Sequence, residues 1–175
     1  MKKKFIIMDE TDINRATSRI SFEIIENNKG SEELIILGII TRGEILSKRI
    51  AEKISQHEKR KVDYAALDIT PFRDDERRDN TAEKDFQIKF NITSKKVILV
   101  DDVIFTGRTA RAAIDAVLRH GRPKCIQLAV LVDRGHRELP IRPDYIGKNV
   151  PTSKKEEIKV NLMETDTVNS VEIIK

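Results

Sequence analysis

Short apolar runs alternate with amphipathic stretches along this chain, and that alternation predicts an α/β fold with a mainly parallel central sheet flanked by helices. Phe5 to Met8 is a short apolar start, read as an edge strand. Asp9 or Thr11 can cap a helix running to about Asn28, closed by Gly30, with Ile13, Ala16, Ile20 and Ile24 on its buried face. Leu34 to Ile40 is a continuous apolar run, as expected of a strand buried on both sides. A helix with Leu46, Ile50 and Ile54 on one face follows, then a third strand over Val62 to Ile69. Val97 to Val100 is a fourth strand, leading into a helix whose apolar face is Ala110, Ala113, Ile114, Val117 and Leu118. Gly121 and Pro123 end that helix, and Ile126 to Val132 is a further buried strand. Ile158 to Leu162 and Val171 to Ile174 predict a terminal hairpin.

Two stretches break the alternation. Residues 72–85 hold almost nothing to bury and cannot offset their own ordering entropy, which predicts a mobile excursion. Phe86, Ile88 and Phe90 alternate behind it and read as the returning strand of a hairpin, so that about 71–94 form a lid. Residues 136–151 are rich in proline, glycine and arginine, and predict a small hood over about 133–155, near the strand ends.

Composition narrows the class. At 175 residues the chain reads as one domain, 1–175, with an ordinary 39% hydrophobic and 35% charged residues. The longest apolar run is too short to span a bilayer, and Lys2 to Lys4 precede too few apolar residues for a secretory leader. Cys125 is the one cysteine, which excludes an internal disulfide, fits a reducing cytoplasm, and reads as a small buried hydrophobe on a strand. His57 and His120 are expected to face solvent. His136 has no cysteine or histidine partner for a zinc site. No GxxxxGK[ST], GxGxxG or GxSxG string occurs.

The candidate chemistry lies in the thirteen residues Val97, Ile98, Leu99, Val100, Asp101, Asp102, Val103, Ile104, Phe105, Thr106, Gly107, Arg108 and Thr109. In open α/β sheets ligands sit beyond the carboxyl ends of strands, and helix amino termini offer free N–H groups to anions. Thr106, Gly107 and Thr109 can cradle a phosphate, with Gly107 allowing close backbone approach. Asp101 and Asp102 accept hydrogen bonds only, which suits the vicinal hydroxyls of a ribose. Strand, loop and helix together therefore predict a ribose 5-phosphate site. Thr41, Arg42 and Gly43 repeat the arrangement after the second strand. On the first helix, Arg15, Ser18, Arg19 and Phe22 form a second stripe, read unaided as a solvated charged face.

The thirteen-residue stretch closely resembles the phosphoribosyl-diphosphate (PRPP) signature of the type I phosphoribosyltransferases. Residues 132–142 with 145–154, together with Asn28-Lys29-Gly30, Asp68-Ile69-Thr70 and Arg73-Asp74-Asp75, resemble one branch in particular. That branch is the PyrR family of bifunctional pyrimidine-operon attenuation regulators and uracil phosphoribosyltransferases, and the likeness spans essentially the whole chain.

The resemblance implies the type I phosphoribosyltransferase fold, with flexible lid and hood, and the reaction of uracil with PRPP to give UMP and diphosphate. It implies that Asp101 and Asp102 hold the ribose hydroxyls, directly or through water on a Mg²⁺ that PRPP carries and no side chain ligates directly. Thr106 to Thr109 would hold the 5-phosphate, and Thr41, Arg42 and Gly43 the diphosphate, with Arg73 arriving from the lid. In this loop the class often has a cis peptide, with Arg42 supplying charge and Gly43 conformational freedom. Backbone groups around Val132, Asp133 and Arg134 would read uracil.

The same resemblance implies binding of a leader-mRNA hairpin with UMP or UTP as corepressor. Arg15, Arg19, Arg137, Arg142 and Lys148 match the family's RNA-contact positions, which reverses the solvated-face reading of the first helix. Ser18 replaces the usual threonine and keeps the hydroxyl; Phe22 replaces the usual histidine and can stack on a base. A cytoplasmic homodimer or higher homo-oligomer is implied, away from any membrane. The alternative is a protein with one activity alone, uracil salvage or RNA regulation; the hood sequence argues against a purine or orotate enzyme.

Overall fold

The computed structural model describes residues 3–74 and 88–175. Five strands form one parallel sheet: β2 (Leu34–Ile39), β3 (Asp63–Leu67), β4 (Lys96–Ile104), β5 (Cys125–Asp133) and β6 (Tyr145–Asn149), in the spatial order β3-β2-β4-β5-β6. A second, antiparallel sheet joins β1 (Lys4–Met8) to β8 (Ser170–Ile174) and β8 to β7 (Glu157–Asn161). The terminal hairpin thus takes up the amino-terminal strand as its edge, a pairing that local patterning does not contain.

Helices cover both faces of the parallel sheet, so its strands read as unbroken apolar runs. Helices α1 (Glu10–Asn28) and α2 (Arg42–Glu58) bury Ile13, Ile20, Ile24, Leu46, Ile50 and Ile54 against Ile36, Ile98 and Val100. Val160, Leu162 and Val171 of the terminal sheet complete this core. The opposite face packs Ile35, Leu37, Val97, Leu99 and Val130 beneath α3 (Arg108–His120). Alternate residues of β2 and β4 therefore go to opposite cores, as a pleat of period two requires.

Helix starts follow local chemistry where a cap is present. Asp9, not Thr11, caps α1: it accepts from Asp12 N–H at 2.8 Å while Asp12 accepts from Asp9 N–H at 3.2 Å. At the other end Lys29 is left-handed and Gly30 N–H donates to Ile25 O at 3.0 Å. The N-cap residues Thr41 and Gly107 give α2 and α3 no side-chain cap, although Arg108 N–H donates to Thr106 Oγ1 at 3.3 Å; both helices begin at the expected anion loops.

Several expectations change. The third strand stops at Leu67, and Thr70–Phe72 form a single 3₁₀ turn because Pro71 has no N–H for a ladder. Ile88 and Phe90 are not strand; they pack on the α3-side core, while Phe86 and residues 75–87 of the expected lid lie outside the described residues. Helix α3 buries Ala110, Ala112, Ala113, Ala116 and Val117, leaving Leu118 53% exposed and Ile114 half-buried. Small residues let the helix lie close on the sheet, so the alanines face inward and the bulkier side chains move to its flank. His120 is half-buried, its Nδ1 paired with Ala116 O at 2.8 Å, and Cys125 is half-buried on β5. Within the stretch expected as the hood, Tyr145–Asn149 is a main-sheet strand. Buried Tyr145 anchors it through hydrogen bonds with Asn27, Asn28 and Gln127, and burial pushes its phenol pKa up. Among the described residues no helix is long and apolar enough to cross a membrane.

Candidate active site and nucleic-acid interface

The sheet order places β2 and β4 side by side, with chain connections leaving them in opposite directions. That is the switch point at which open α/β sheets hold ligands. A cleft of about 380 Å³, within the usual range for small-ligand sites, opens against β4, β5 and the start of α3; Thr41, Arg42, Gly43 and Asp102 do not line it. Arg73, Asp101, Val103, Thr106, Gly107, Arg108, Thr109 and Glu138 are among the residues that line it. Val97, Ile98, Leu99 and Val100 are core, so only the carboxyl-terminal half of the thirteen-residue stretch faces it.

Asp101 and Asp102 sit half-buried within β4, which pairs with β5 on to Ile104 instead of stopping at Val100 as expected. Asp102 N–H donates to Asp101 Oδ1 at 2.9 Å, and Val103 N–H to Asp102 Oδ1 at 2.8 Å. Desolvation, and after it the charge of Asp102, hold the Asp101 pKa well above the ordinary carboxylate range; Arg73 pulls the other way. Arg73 thus comes to the cleft from the 3₁₀ turn, and its charge is felt by the acid pair.

The turn after β4 is shaped by Gly107, whose φ of 92° is costly for any side chain with a Cβ. Glycine here serves conformation. At Gly43 the reverse holds: a Cβ would lie 2.4 Å from Val100 O and 3.2 Å from Asp101 Cα, so only hydrogen lets α2 press against β4. Gly43 therefore serves close packing where conformational freedom was expected, and Gly107 has a conformational requirement that the sequence reading did not name. The Ile40–Thr41 peptide just before α2 is cis. Thr41 is exposed, and Arg42 donates through Nη2 to Asp166 at 3.0 and 3.3 Å while its buried Nε has no partner among the described residues.

Arg108 is held between Glu138 and Asp74, each at 2.9 Å, and this pairing raises its pKa further. Arg111 donates to Phe72 O at 2.9 Å, tying the start of the expected lid to α3. Glu138 and Leu139 N–H both donate to Thr106 O.

Val132, Asp133 and Arg134 end β5 beside Val103 and Ile104, but they do not line the cleft. The Asp133 carboxylate accepts from Gly135 N–H and Arg137. Arg134 is buried; it donates to Thr152 Oγ1, Ser153 O and Glu156 O and lies 4.0 Å from the Phe105 ring centre. Burial lowers its pKa. Its side chain is a structural strut, which leaves the backbone as the element able to meet a base. His136 Nε2 pairs with Thr152 O beside it.

The expected RNA residues divide. Arg15 and Arg142 are exposed. Arg19 is exposed but reaches Ile146 O at 3.1 Å and Gly147 O at 2.6 Å, bringing the α1 stripe against β6. Lys148, on that strand, donates to Ile7 O at 2.7 Å. Ser18 is half-buried, and exposed Phe22 meets His57 of α2 edge-on at 4.9 Å. Arg19 and Lys148 thus remain exposed with part of their donors used internally, whereas half-buried Arg137 engages all three nitrogens: Nε, Nη1 and Nη2 donate to Ile141 O, Phe105 O and Asp133. Sequence reading missed Asp166 and Glu138 as partners of Arg42 and Arg108, two of the expected anion-binding arginines. Asp166 sits in no motif and Glu138 lies in the 132–142 string, but both pairings join segments far apart in the chain, so no local signal could have found them.

The fold and this cleft define a phosphoribosyltransferase. The model of the phosphoribosyl transferase domain matches residues 7–165. A hypoxanthine phosphoribosyltransferase from Staphylococcus aureus superposes with a TM-score of 0.73 at 16% identity, over 98% of this chain and 92% of that one. Closer in sequence are the Bifunctional protein PyrR of Clostridium kluyveri, 55% identical over 99% of this chain and 98% of its own length, and that of Clostridioides difficile, 55% identical over 99% of both. The chain belongs to the phosphoribosyltransferase family, in its PyrR branch.

Proposed function

We propose that this protein converts uracil and PRPP to UMP and diphosphate in the β4 cleft, and regulates pyrimidine-operon expression by uridine-nucleotide-dependent binding of leader mRNA. The observation that carries the reading is the acid pair in the carboxyl-terminal half of β4, close to the start of α3, in a chain of the PyrR branch.

Uracil N1 forms the new bond to ribose C1 as the C1–oxygen bond to diphosphate breaks, and the N1 proton leaves to solvent. The N–H groups of the Gly107 turn and the Thr106 and Thr109 hydroxyls hold the 5-phosphate. Asp101 and Asp102 accept from the ribose hydroxyls, and positive charge growing at C1 is stabilised by these nearby carboxylates. Arg42 and Arg73 meet the charge of the departing diphosphate. Backbone groups of Val132, Asp133 and Arg134 orient uracil. Catalysis is then positioning and charge stabilisation, with no covalent enzyme intermediate.

Mg²⁺ fits this donor set. Adjacent hard carboxylate oxygens suit water-mediated contact, and among the described residues no cluster of three or more His, Cys, Asp or Glu gathers to hold a metal alone. When bound with PRPP, it neutralises diphosphate charge.

The RNA surface is the α1 stripe with β6: Arg15, Ser18, Arg19, Phe22, Arg142 and Lys148. Arg137 supports it from within. The protein works in the cytoplasm as a homodimer or higher homo-oligomer.

Labelled uracil, PRPP and Mg²⁺ should yield UMP; product no higher than with boiled protein would overturn the enzymatic half. A gel shift with a leader hairpin, with and without UMP, tests the regulatory half. A shift that ignores UMP would leave an RNA binder without nucleotide control.

A further inference from the structure

We infer that Asp166, on the short helix α4 (Met163–Asp166) of the terminal sheet, is a positioning residue for the diphosphate loop, setting the guanidinium of Arg42 for PRPP. This rests on the proposal that Thr41, Arg42 and Gly43 hold diphosphate.

The carboxylate is fixed independently of Arg42. Its Oδ2 accepts from Leu162 N–H at 3.0 Å and from Thr165 Oγ1 at 2.8 Å. The turn carrying it is itself bolted to α2. Arg49 donates to Glu164 at 2.9 and 2.5 Å and to Asn169 Oδ1 at 2.9 Å, and Asn169 Oδ1 also accepts from Met163 N–H at 3.0 Å. Two neighbouring attachments thus hold one rigid turn against the start of α2.

Asp166 takes Nη2 alone. Nη1 has no partner among the described residues and keeps its donors for an anion, while the buried Nε lies on the same edge as Nη2. A ligand therefore adds to the Asp166 hydrogen bonds without breaking them. A long arginine otherwise loses rotamer freedom on binding, and holding it beforehand removes most of that cost. The low pKa of Asp166, about 2, agrees with a carboxylate that remains charged at working pH.

The test is steady-state kinetics of UMP formation in the full-length protein, with thermal melts alongside. Asp166→Asn should raise KM for PRPP and the inhibition constant for diphosphate about tenfold, with kcat within about twofold. Glu164→Gln removes the neighbouring bolt without touching Arg42; it should lower the melting temperature and leave KM for PRPP unchanged. In an Arg42→Ala background, Asp166→Asn should add nothing to KM. An unchanged KM in Asp166→Asn overturns the inference. So does a lowered KM, which would make Asp166 a competitor of PRPP, and so does an equal rise in Glu164→Gln, which would make the effect one of general stability. If Arg42→Ala itself leaves KM for PRPP unchanged, the diphosphate reading of the loop fails first, whatever Asp166 does.

Discussion

At the carboxyl end of β4, the groups offered to an anion come from backbone and short side chains; on the α1–β6 face they come from long cations. Around Gly107 the turn has a single shape, and Asp101 and Asp102 are seated by neighbouring N–H groups. A site of this kind is formed before its ligand arrives, and its energy is lost in steps when one part is removed. The α1–β6 face spreads its charge over exposed side chains, each contributing modestly and each screened by salt. Arg137 sits in the second group by sequence and in the first by structure, because its donors are used internally.

The largest effect should come from the acid pair. Asp101→Asn with Asp102→Asn should lower UMP formation by about 10² to 10⁴-fold, since two charge-assisted hydrogen bonds are each worth about 1.5–3 kcal/mol. RNA affinity measured without nucleotide should be unchanged; a parallel loss would mean the two regions are not separable. Next, Gly43→Ala forces a Cβ against Val100 O and should cost about 1–3 kcal/mol of stability together with most PRPP turnover. Melting and turnover that both match the parent would show that α2 need not press on β4.

Arg137→Ala sharpens the contrast. It strands the acceptors Phe105 O, Ile141 O and Asp133, so it should cost about 1–3 kcal/mol and weaken both activities. Arg15→Ala and Arg142→Ala should instead leave turnover and melting unchanged. Each should reduce the slope of log affinity against log salt by about 0.7–0.9 for every RNA phosphate it no longer neutralises. Salt titrations with parental slopes would remove these residues from the RNA face.

The smallest effect is in acid. The folded pKa of Asp166 is lowered to about 2 from 3.8, chiefly by the Leu162 N–H and Thr165 hydroxyl, with Arg42 adding. Its contribution to stability is therefore fully present above pH 3.8 and is lost as pH falls towards 2. Thermal melts across that window should fall less steeply for Asp166→Asn than for the parent; equal slopes would show that the carboxylate is not held as described.

Much of the parallel sheet was legible because each of its central strands is buried on both faces and its apolar run is continuous. β6 was not, since Tyr145-Ile146-Gly147-Lys148-Asn149 has few apolar residues and owes its place to pairing with β5 and to the Tyr145 hydrogen bonds. The buried face of α3 was misjudged because alanine, weak as a hydrophobic signal, is favoured where a helix lies close to a sheet. The acid pair and the glycine turn that follows were legible as a contiguous string. Glu138 and Asp166 were not, because each meets its arginine only after a long stretch of chain has folded back.

By itself the sequence determined what is local: the strands with continuous apolar runs, a start for α1 at Asp9 or Thr11, and a glycine-containing turn after the acid pair. Tertiary structure alone decided which cations remain available to a partner. Hydrogen bonds such as those of Arg42 with Asp166, or of Arg137 with three internal acceptors, depend on distances between folded segments, and a guanidinium reads the same in a sequence whether its donors are used or free.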